Sequence, residues 1–103
     1  MRRAARTDAN QSEIVDALRK CGATVQSLAA VGDGVPDLLV GLAGMNLLIE
    51  VKDGSKPPSG RKLTPDQEAW HAAWGGAPVF VVTCVDQAVQ MVREWVKLGK
   101  EHK

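Results

Sequence analysis

The sequence predicts one α/β domain, in which helices cover a single mixed β-sheet and the elements follow in the order α-β-β-β-α-β-α. A chain of 103 residues fits one domain, since domains usually contain about 100–200 residues. Hydrophobic residues make up 45% and charged residues 24%, which is typical of a globular chain with a core. Helical and strand-like apolar patterns alternate along the chain. Residues 1–103 are therefore expected to form a single domain, with a basic arm at 1–7 and a basic tail at 99–103.

The first half of the chain predicts one helix and three strands. Thr7 or Asp8 can cap a helix that ends at about Cys21, before Gly22. Short apolar runs bounded by turn residues predict the strands. Their expected ranges are 24–31, 36–42 and 47–52, and residues 43–46 join the last two as a hairpin.

The second half begins with a loop rich in Pro, Gly and Ser. Thr64 can cap the helix that follows, Pro65 suits its first position, and Gln67 can complete a capping box. Beyond this helix, the periodicity changes to that of a short apolar strand and then to that of an amphipathic helix. The expected ranges are 65–74 for the capped helix, 79–83 for the strand and 86–98 for the final helix.

Composition excludes several classes of protein. The longest apolar runs have about six residues, far short of a membrane span, and no signal peptide follows Met1. Cys21 and Cys84 lack the spacing of a zinc site or a disulfide framework, so we expect two buried free thiols. A cytoplasmic protein without a membrane partner is the expectation.

Positive charge is grouped into three clusters, although the net charge is only +1. Each cluster can be an ordinary solvated segment. If the fold brings the clusters together, they can instead follow a phosphate backbone. The clusters are Arg2, Arg3 and Arg6; Lys56, Arg61 and Lys62; and Lys97, Lys100 and Lys103.

The predicted hairpin places three charged residues on one face of the sheet. A tight turn within residues 43–46 puts Asp37 opposite Lys52 and Leu39 opposite Glu50. Asp37, Glu50 and Lys52 then project from the same side. The other side is entirely apolar, which supports the pairing because a one-residue slip would mix the faces. It consists of Leu38, Val40, Leu42, Leu47, Ile49 and Val51.

Two acids beside one lysine allow two interpretations. They can form an ion-pair cluster in which Lys52 neutralises one carboxylate. Alternatively, Asp37 and Glu50 can hold Mg²⁺, which takes one or two carboxylates and leaves positions for water and phosphate. Lys52 would then lie beside the attacking water or the scissile phosphate. Metal-assisted phosphodiester hydrolysis is the reaction class that needs this set.

These residues resemble the signature of the PD-(D/E)XK nucleases. Asp37 ends the segment Gly34-Val35-Pro36-Asp37 and lies thirteen residues before Glu50, which begins Glu50-Val51-Lys52. With Glu13 in the first helix and Gln67 early in the next, the order is similar to that of the virus-type replication-repair nuclease (VRR-NUC) domain. The resemblance covers about residues 10–95. The compact form is similar to that of stand-alone viral and bacterial members.

The resemblance implies a restriction-endonuclease-like fold and a DNA endonuclease that depends on Mg²⁺ or Mn²⁺. It further implies a phage or bacterial protein of DNA repair, which acts as a homodimer on branched DNA such as Holliday junctions. By position, Asp37, Glu50 and the Val51 carbonyl would hold the metal. Lys52 would serve the attacking water, and Glu13 would join the metal shell directly or through water. Gln67, which follows the motif early in the next helix, would be a further catalytic residue.

Some of these residues have simpler explanations. Glu13 can be a solvated helix residue, and Gln67 can serve the capping box alone or in addition to the site. Trp70 and Trp74 are expected in the core or at a dimer interface. His71 has no spacing typical of a ligand and is assigned no chemistry.

The loop that follows the catalytic strand is the predicted DNA-binding segment. It leaves the sheet directly after Lys52, so Lys56, Arg61 and Lys62 are expected beside the DNA backbone. Its Pro, Gly and Ser residues predict an irregular segment that is mobile without DNA.

Other functions stay open on the sequence alone. The chain can be a nuclease fold that binds DNA without cutting it, or a nicking nuclease recruited by a replication partner. It can also be a small α/β interaction module with an incidental charge cluster. Intact Asp37, Glu50 and Lys52 favour the enzyme.

Overall fold

The computed structural model describes residues 9–101 and contains the predicted succession of helices and strands. The basic arm, the proposed caps Thr7 and Asp8, and the last two residues lie outside the described part. A short 3-10 helix, Pro58–Arg61, lies in the loop before the second α-helix. The α-helices are α1 Gln11–Lys20, α2 Pro65–Ala73 and α3 Val85–Glu101. The strands are β1 Thr24–Ser27, β2 Leu38–Leu42, β3 Met45–Val51 and β4 Phe80–Val82.

The four strands form one mixed sheet in the order β1-β2-β3-β4. The first three strands pair antiparallel, while β4 pairs parallel to β3. A parallel pair needs a crossover connection, and here α2 and its flanking loops supply it. The predicted mixed α/β fold is therefore confirmed.

One face of the sheet, covered by α1 and α3, holds the hydrophobic core. Helix α1 contributes Ile14 and Leu18, and α3 contributes Ala88 and Val92, all essentially inaccessible to solvent. The apolar strand face predicted from the sequence packs against them: Leu38, Val40, Leu47, Ile49 and Val51 are buried and Leu42 is half-buried. Burial of this kind supplies the main driving force for folding.

The register of the hairpin differs from the predicted one by two residues. Leu39 pairs with Leu48, and Leu42 pairs with Met45, so Glu50 is not opposite Leu39. The turn is the two-residue segment Ala43-Gly44, in which both residues have positive φ angles of 52° and 79°. This backbone suits the twist of a two-residue hairpin. A shift of two residues keeps every side chain on its predicted face, because side chains alternate with a period of two.

The ends of several elements also differ from the prediction. Helix α1 begins after Asn10, whose side-chain Nδ2 donates to the backbone oxygens of Lys52 (3.2 Å) and Thr83 (2.9 Å) instead of capping its own helix. Strand β1 ends at Ser27, before a turn in which the Val31 nitrogen donates to the Leu28 carbonyl (2.9 Å). The cysteines Cys21 and Cys84 are exposed, so the expectation of buried thiols was wrong.

The described basic residues do not form one surface. The Trp95 indole nitrogen, near the end of α3, donates to the Asn46 carbonyl beside the hairpin turn (3.3 Å). Lys97 and Lys100 therefore lie toward the turn end of the sheet, whereas Lys56 follows Lys52 at the other end of β3. The fold therefore does not bring these two clusters together. None of the helices in the described part has the length and hydropathy of a membrane span.

Helix α2 lies over the second face of the sheet and approaches it closely at Gly34. Gly34 has a φ of +84°, and a Cβ placed there would overlap the backbone carbonyl of Asp66 in the first turn of α2. Glycine is therefore required at this position for two reasons: its positive φ and the close contact with α2. The Gly-x-Pro-Asp segment therefore packs directly against the first turn of α2.

We expect Ala43→Asn to raise the free energy of unfolding by about 0.5–1 kcal/mol, because Asn tolerates the left-handed conformation better than Ala and Asn-Gly is the favoured sequence of this turn. Urea denaturation measures the change. Gly44→Ala is the opposing control and should lower stability. Equal or lower stability of Ala43→Asn would contradict the turn geometry.

We expect Gly34→Ala to lower the free energy of unfolding by about 2–4 kcal/mol, since it adds overlap with Asp66 to the strain of a positive φ. Gly32→Ala is the matched control: its φ is +73°, and a Cβ there meets nothing within 4 Å, so only about 1 kcal/mol of strain is expected. If the two variants lost the same free energy of unfolding in urea, the close approach of α2 would not contribute to the cost of Gly34→Ala.

Candidate active site

The second face of the sheet carries two buried charged residues at the end of β3. Glu50 is 1% exposed and Lys52, directly after the strand, is 9% exposed. They are two residues apart, so both project away from the core. Charged side chains are seldom buried to this degree unless other polar groups surround them.

Asp37 joins this pair from the neighbouring strand. Its Oδ2 accepts a hydrogen bond of 2.7 Å from the backbone nitrogen of Val51, which lies between Glu50 and Lys52 in the chain. Its backbone oxygen accepts a hydrogen bond from the Leu28 nitrogen (2.7 Å). Continuing the observed register places Asp37 level with Glu50, where Lys52 had been expected. The structure therefore brings Asp37, Glu50 and Lys52 together, although their pairing differs.

Gln67 connects the start of α2 to both charged residues of β3. Its Nε2 donates to Glu50 Oε2 (3.2 Å), and its Oε1 accepts from Lys52 Nζ (2.7 Å). The same Oε1 accepts from the Thr64 backbone nitrogen (2.9 Å), and Thr64 Oγ1 accepts from the Gln67 nitrogen (3.2 Å). The predicted capping box is confirmed. One side chain thus serves both the helix start and the site.

His71 is a site residue that the sequence reasoning missed. It follows Gln67 by one helical turn, and its Nε2 lies 3.5 Å from Glu50 Oε1. Its side chain is 13% exposed. Burial, and in addition the charge of Lys52, lower the pKa of His71, so the imidazole is neutral at pH 7. The i, i+4 spacing from Gln67 was the available signal.

Glu13 is exposed and lies in a different place. It lines a polar cleft of about 480 Å³ at the start of α1, together with Asp53 and Asp86. Hydrogen bonds from the Ser55 hydroxyl and backbone nitrogen lower the pKa of Asp53. Neither Asp37 nor Glu50 lines this cleft.

The predicted DNA-binding loop has more structure than expected. Residues 58–61 form a 3-10 turn, which an irregular segment would lack. Lys56 and Lys62 are exposed, and Arg61 is half-buried. The three residues follow the site end of β3, as the sequence predicts.

Trp70 and Trp74 lie on the same helix and stack with their ring centroids 4.8 Å apart. Trp74 is 46% exposed, so it is not a core residue. Beside the pair is an apolar cavity of about 350 Å³ over the second sheet face, lined in part by Leu39 and Leu48.

The donor set at the end of β3 fits a hard divalent cation. Asp37 and Glu50 supply two carboxylates on adjacent strands, and Lys52 supplies one positive charge, which leaves the set formally negative. Within residues 9–101, no group of three or more His, Cys, Asp and Glu side chains is placed to hold a metal ion. Backbone, water and phosphate oxygens would complete the shell, as is usual for Mg²⁺.

Comparison with known proteins agrees with this description. No protein-family model and no curated protein matches the chain. A solved structure described as "VRR_NUC domain" is similar to it, with a TM-score of 0.62 and 28% sequence identity, over 85% of this chain and 99% of that one. This match and the motif residues together support the identification of the chain as a VRR-NUC domain with a nuclease-type α/β fold.

Proposed function

We propose that this protein is a DNA endonuclease that hydrolyses phosphodiester bonds with the help of a divalent metal ion. The observation that carries the proposal is the meeting of Asp37, Glu50 and Lys52 on one sheet face, with Gln67 bonded to two of them. The similarity to a VRR-NUC domain supports the same reaction class.

Asp37 and Glu50, with the Val51 carbonyl, would hold Mg²⁺ or Mn²⁺ in this proposal. When bound, such an ion polarises the phosphodiester and lowers the pKa of a water molecule. Lys52 orients the attacking water and stabilises the negative charge that develops on the phosphate. Gln67 holds the Lys52 ammonium and the Glu50 carboxylate in place through its two amide atoms.

Glu13 has a more distant role in this proposal. It is exposed at the start of α1, and Asn10 ties that helix start to the Lys52 carbonyl. Glu13 would therefore act on the metal shell through water rather than directly. Its substitution should weaken cleavage less than loss of Asp37 or Glu50.

We further propose that the substrate is branched DNA, such as a four-way junction, and that a homodimer cuts it. One chain offers one site, and a two-fold dimer presents two equivalent sites to a junction of similar symmetry. The exposed Trp74 and Leu39 supply an apolar surface for the second copy. A phage or bacterial cytoplasmic setting in DNA repair is the matching context.

A cleavage panel tests this function. Linear, nicked, flapped and four-way DNA are incubated with Mg²⁺ or Mn²⁺, and sedimentation gives the mass of the active species. Paired cuts in the junction by a dimer are expected. Single nicks by a monomer of 11.0 kDa would favour the nicking nuclease instead. DNA binding without any cleavage would favour the non-catalytic protein.

We expect Asp37→Asn and Glu50→Gln each to reduce cleavage by at least about 100-fold while the protein stays folded, because each removes a charged ligand. Lys52→Ala should lose activity but keep its affinity for Mg²⁺, since an ammonium does not ligate a cation. Calorimetric titration with Mg²⁺ separates the two effects. Glu68→Gln, on the exposed surface of α2, is the matched control. Near wild-type cleavage by either carboxylate variant contradicts the site.

Replacing Lys56, Arg61 and Lys62 with neutral residues should weaken DNA binding and reduce its salt dependence. Each lost phosphate contact lowers the slope of log K against log salt by about 0.9 on duplex DNA. The slope is measured from the binding of labelled duplex DNA at several salt concentrations, with Asp37→Asn present in every protein so that the DNA is not cut. Neutral residues at Lys97 and Lys100 are the control, since they lie toward the other end of the sheet. An unchanged slope in the loop variant would make these residues solvated surface.

A further inference from the structure

Helix α2 presents one side chain to each oxygen of the Glu50 carboxylate. Gln67 Nε2 donates to Oε2 at 3.2 Å, and His71 Nε2 faces Oε1 at 3.5 Å. The two residues are four apart, so they share one side of the helix. The carboxylate is thus faced on both oxygens by the same rigid element.

The His71 nitrogen is buried, and no acceptor in the described part of the chain lies within hydrogen-bonding geometry of it. A buried polar nitrogen without a partner destabilises a fold, because it has lost its hydrogen bonds to water. The 3.5 Å separation from Oε1 exceeds an ordinary hydrogen bond of about 2.7–3.2 Å by only a few tenths of an ångström. Glu50 is the acid that lies within reach.

Packing alone does not account for this arrangement. The His71 and Trp70 rings meet edge-on with centroids 6.4 Å apart, which an apolar side chain would also allow. An apolar residue would bury the same space without placing a nitrogen opposite a carboxylate. The polar atom at that position therefore needs its own explanation.

We propose that His71 is a positioning residue for Glu50. Its Nε2–H donates to Oε1 while Gln67 donates to Oε2, so α2 fixes the plane of the carboxylate before a divalent ion binds. Such supporting hydrogen bonds usually change metal affinity or activity by about 10- to 100-fold. The proposal rests on the proposed function, because it treats Glu50 as a ligand of the ion.

The first measurement tests the hydrogen bond without any metal. A long-range ¹H–¹⁵N spectrum of the whole protein at neutral pH reports the His71 tautomer. The Nε2–H form is expected, with a shift of that signal in Glu50→Gln. The Nδ1–H form, or a signal indifferent to Glu50→Gln, would overturn the proposal even if the protein proved to be an active nuclease.

The second measurement tests what the bond does. Calorimetric titration with Mn²⁺ should show about 10- to 100-fold weaker binding for His71→Leu, which fills the space without a donor. His71→Gln keeps an N–H at the end of its side chain and should recover most of the affinity. Equal losses of Mn²⁺ affinity in the two variants would show that His71 acts only by packing. Unchanged affinity in both variants would show that His71 does not position Glu50.

A failure of the proposed function looks different from either result. In that case the wild type and Glu50→Gln would both fail to bind Mn²⁺, while the tautomer would still report whether His71 bonds to Glu50. In the opposite case, ¹⁴N coupling to His71 in the electron paramagnetic resonance spectrum of bound Mn²⁺ would make His71 a ligand and overturn the positioning role.

Discussion

A buried carboxylate at the end of an interior strand constrains the rest of this molecule. Removing a charge from water costs several kcal/mol unless polar partners replace the solvent. Glu50 is 1% exposed, and its neighbours on the outer face are Gln67, Lys52 and His71. No residue of helix α2 is fully buried, and the helix contacts the sheet through this polar group while its first turn meets Gly34. The site and the attachment of α2 are therefore the same set of interactions.

Much of the fold could be predicted from the sequence because its signals are local. The capping box of α2 needs residues three apart, and the apolar face of the hairpin follows from alternation alone. Alternation has a period of two, so it is blind to a two-residue shift. That is why the faces were right while the register was wrong. The observed turn has Ala43 in the left-handed conformation, which alanine seldom adopts, so the sequence does not mark this turn.

The relation of Glu13 and His71 to the site depends on three-dimensional contacts. Glu13 follows the path of α1, whose start is set by the hydrogen bonds of Asn10 to Lys52 and Thr83, 42 and 73 residues away in the chain. His71 was passed over because a single histidine has no ligand spacing. Its relation to Glu50 exists only once α2 is laid across the sheet. Helical spacing from Gln67 would have placed it on the right face, but not opposite a particular oxygen.

The two faces of the sheet divide the work of the chain between them. Side chains that point to α1 and α3 are apolar and closely packed, while those on the other face are polar or at least partly exposed. At the end of β3, neighbouring positions therefore have different surroundings: Ile49 and Val51 lie in the core, while Glu50 and the following Lys52 lie in the candidate site. Because the two sets of side chains alternate, a substitution at an exposed position of the outer face leaves the core packing intact and costs little of the small stability of the fold.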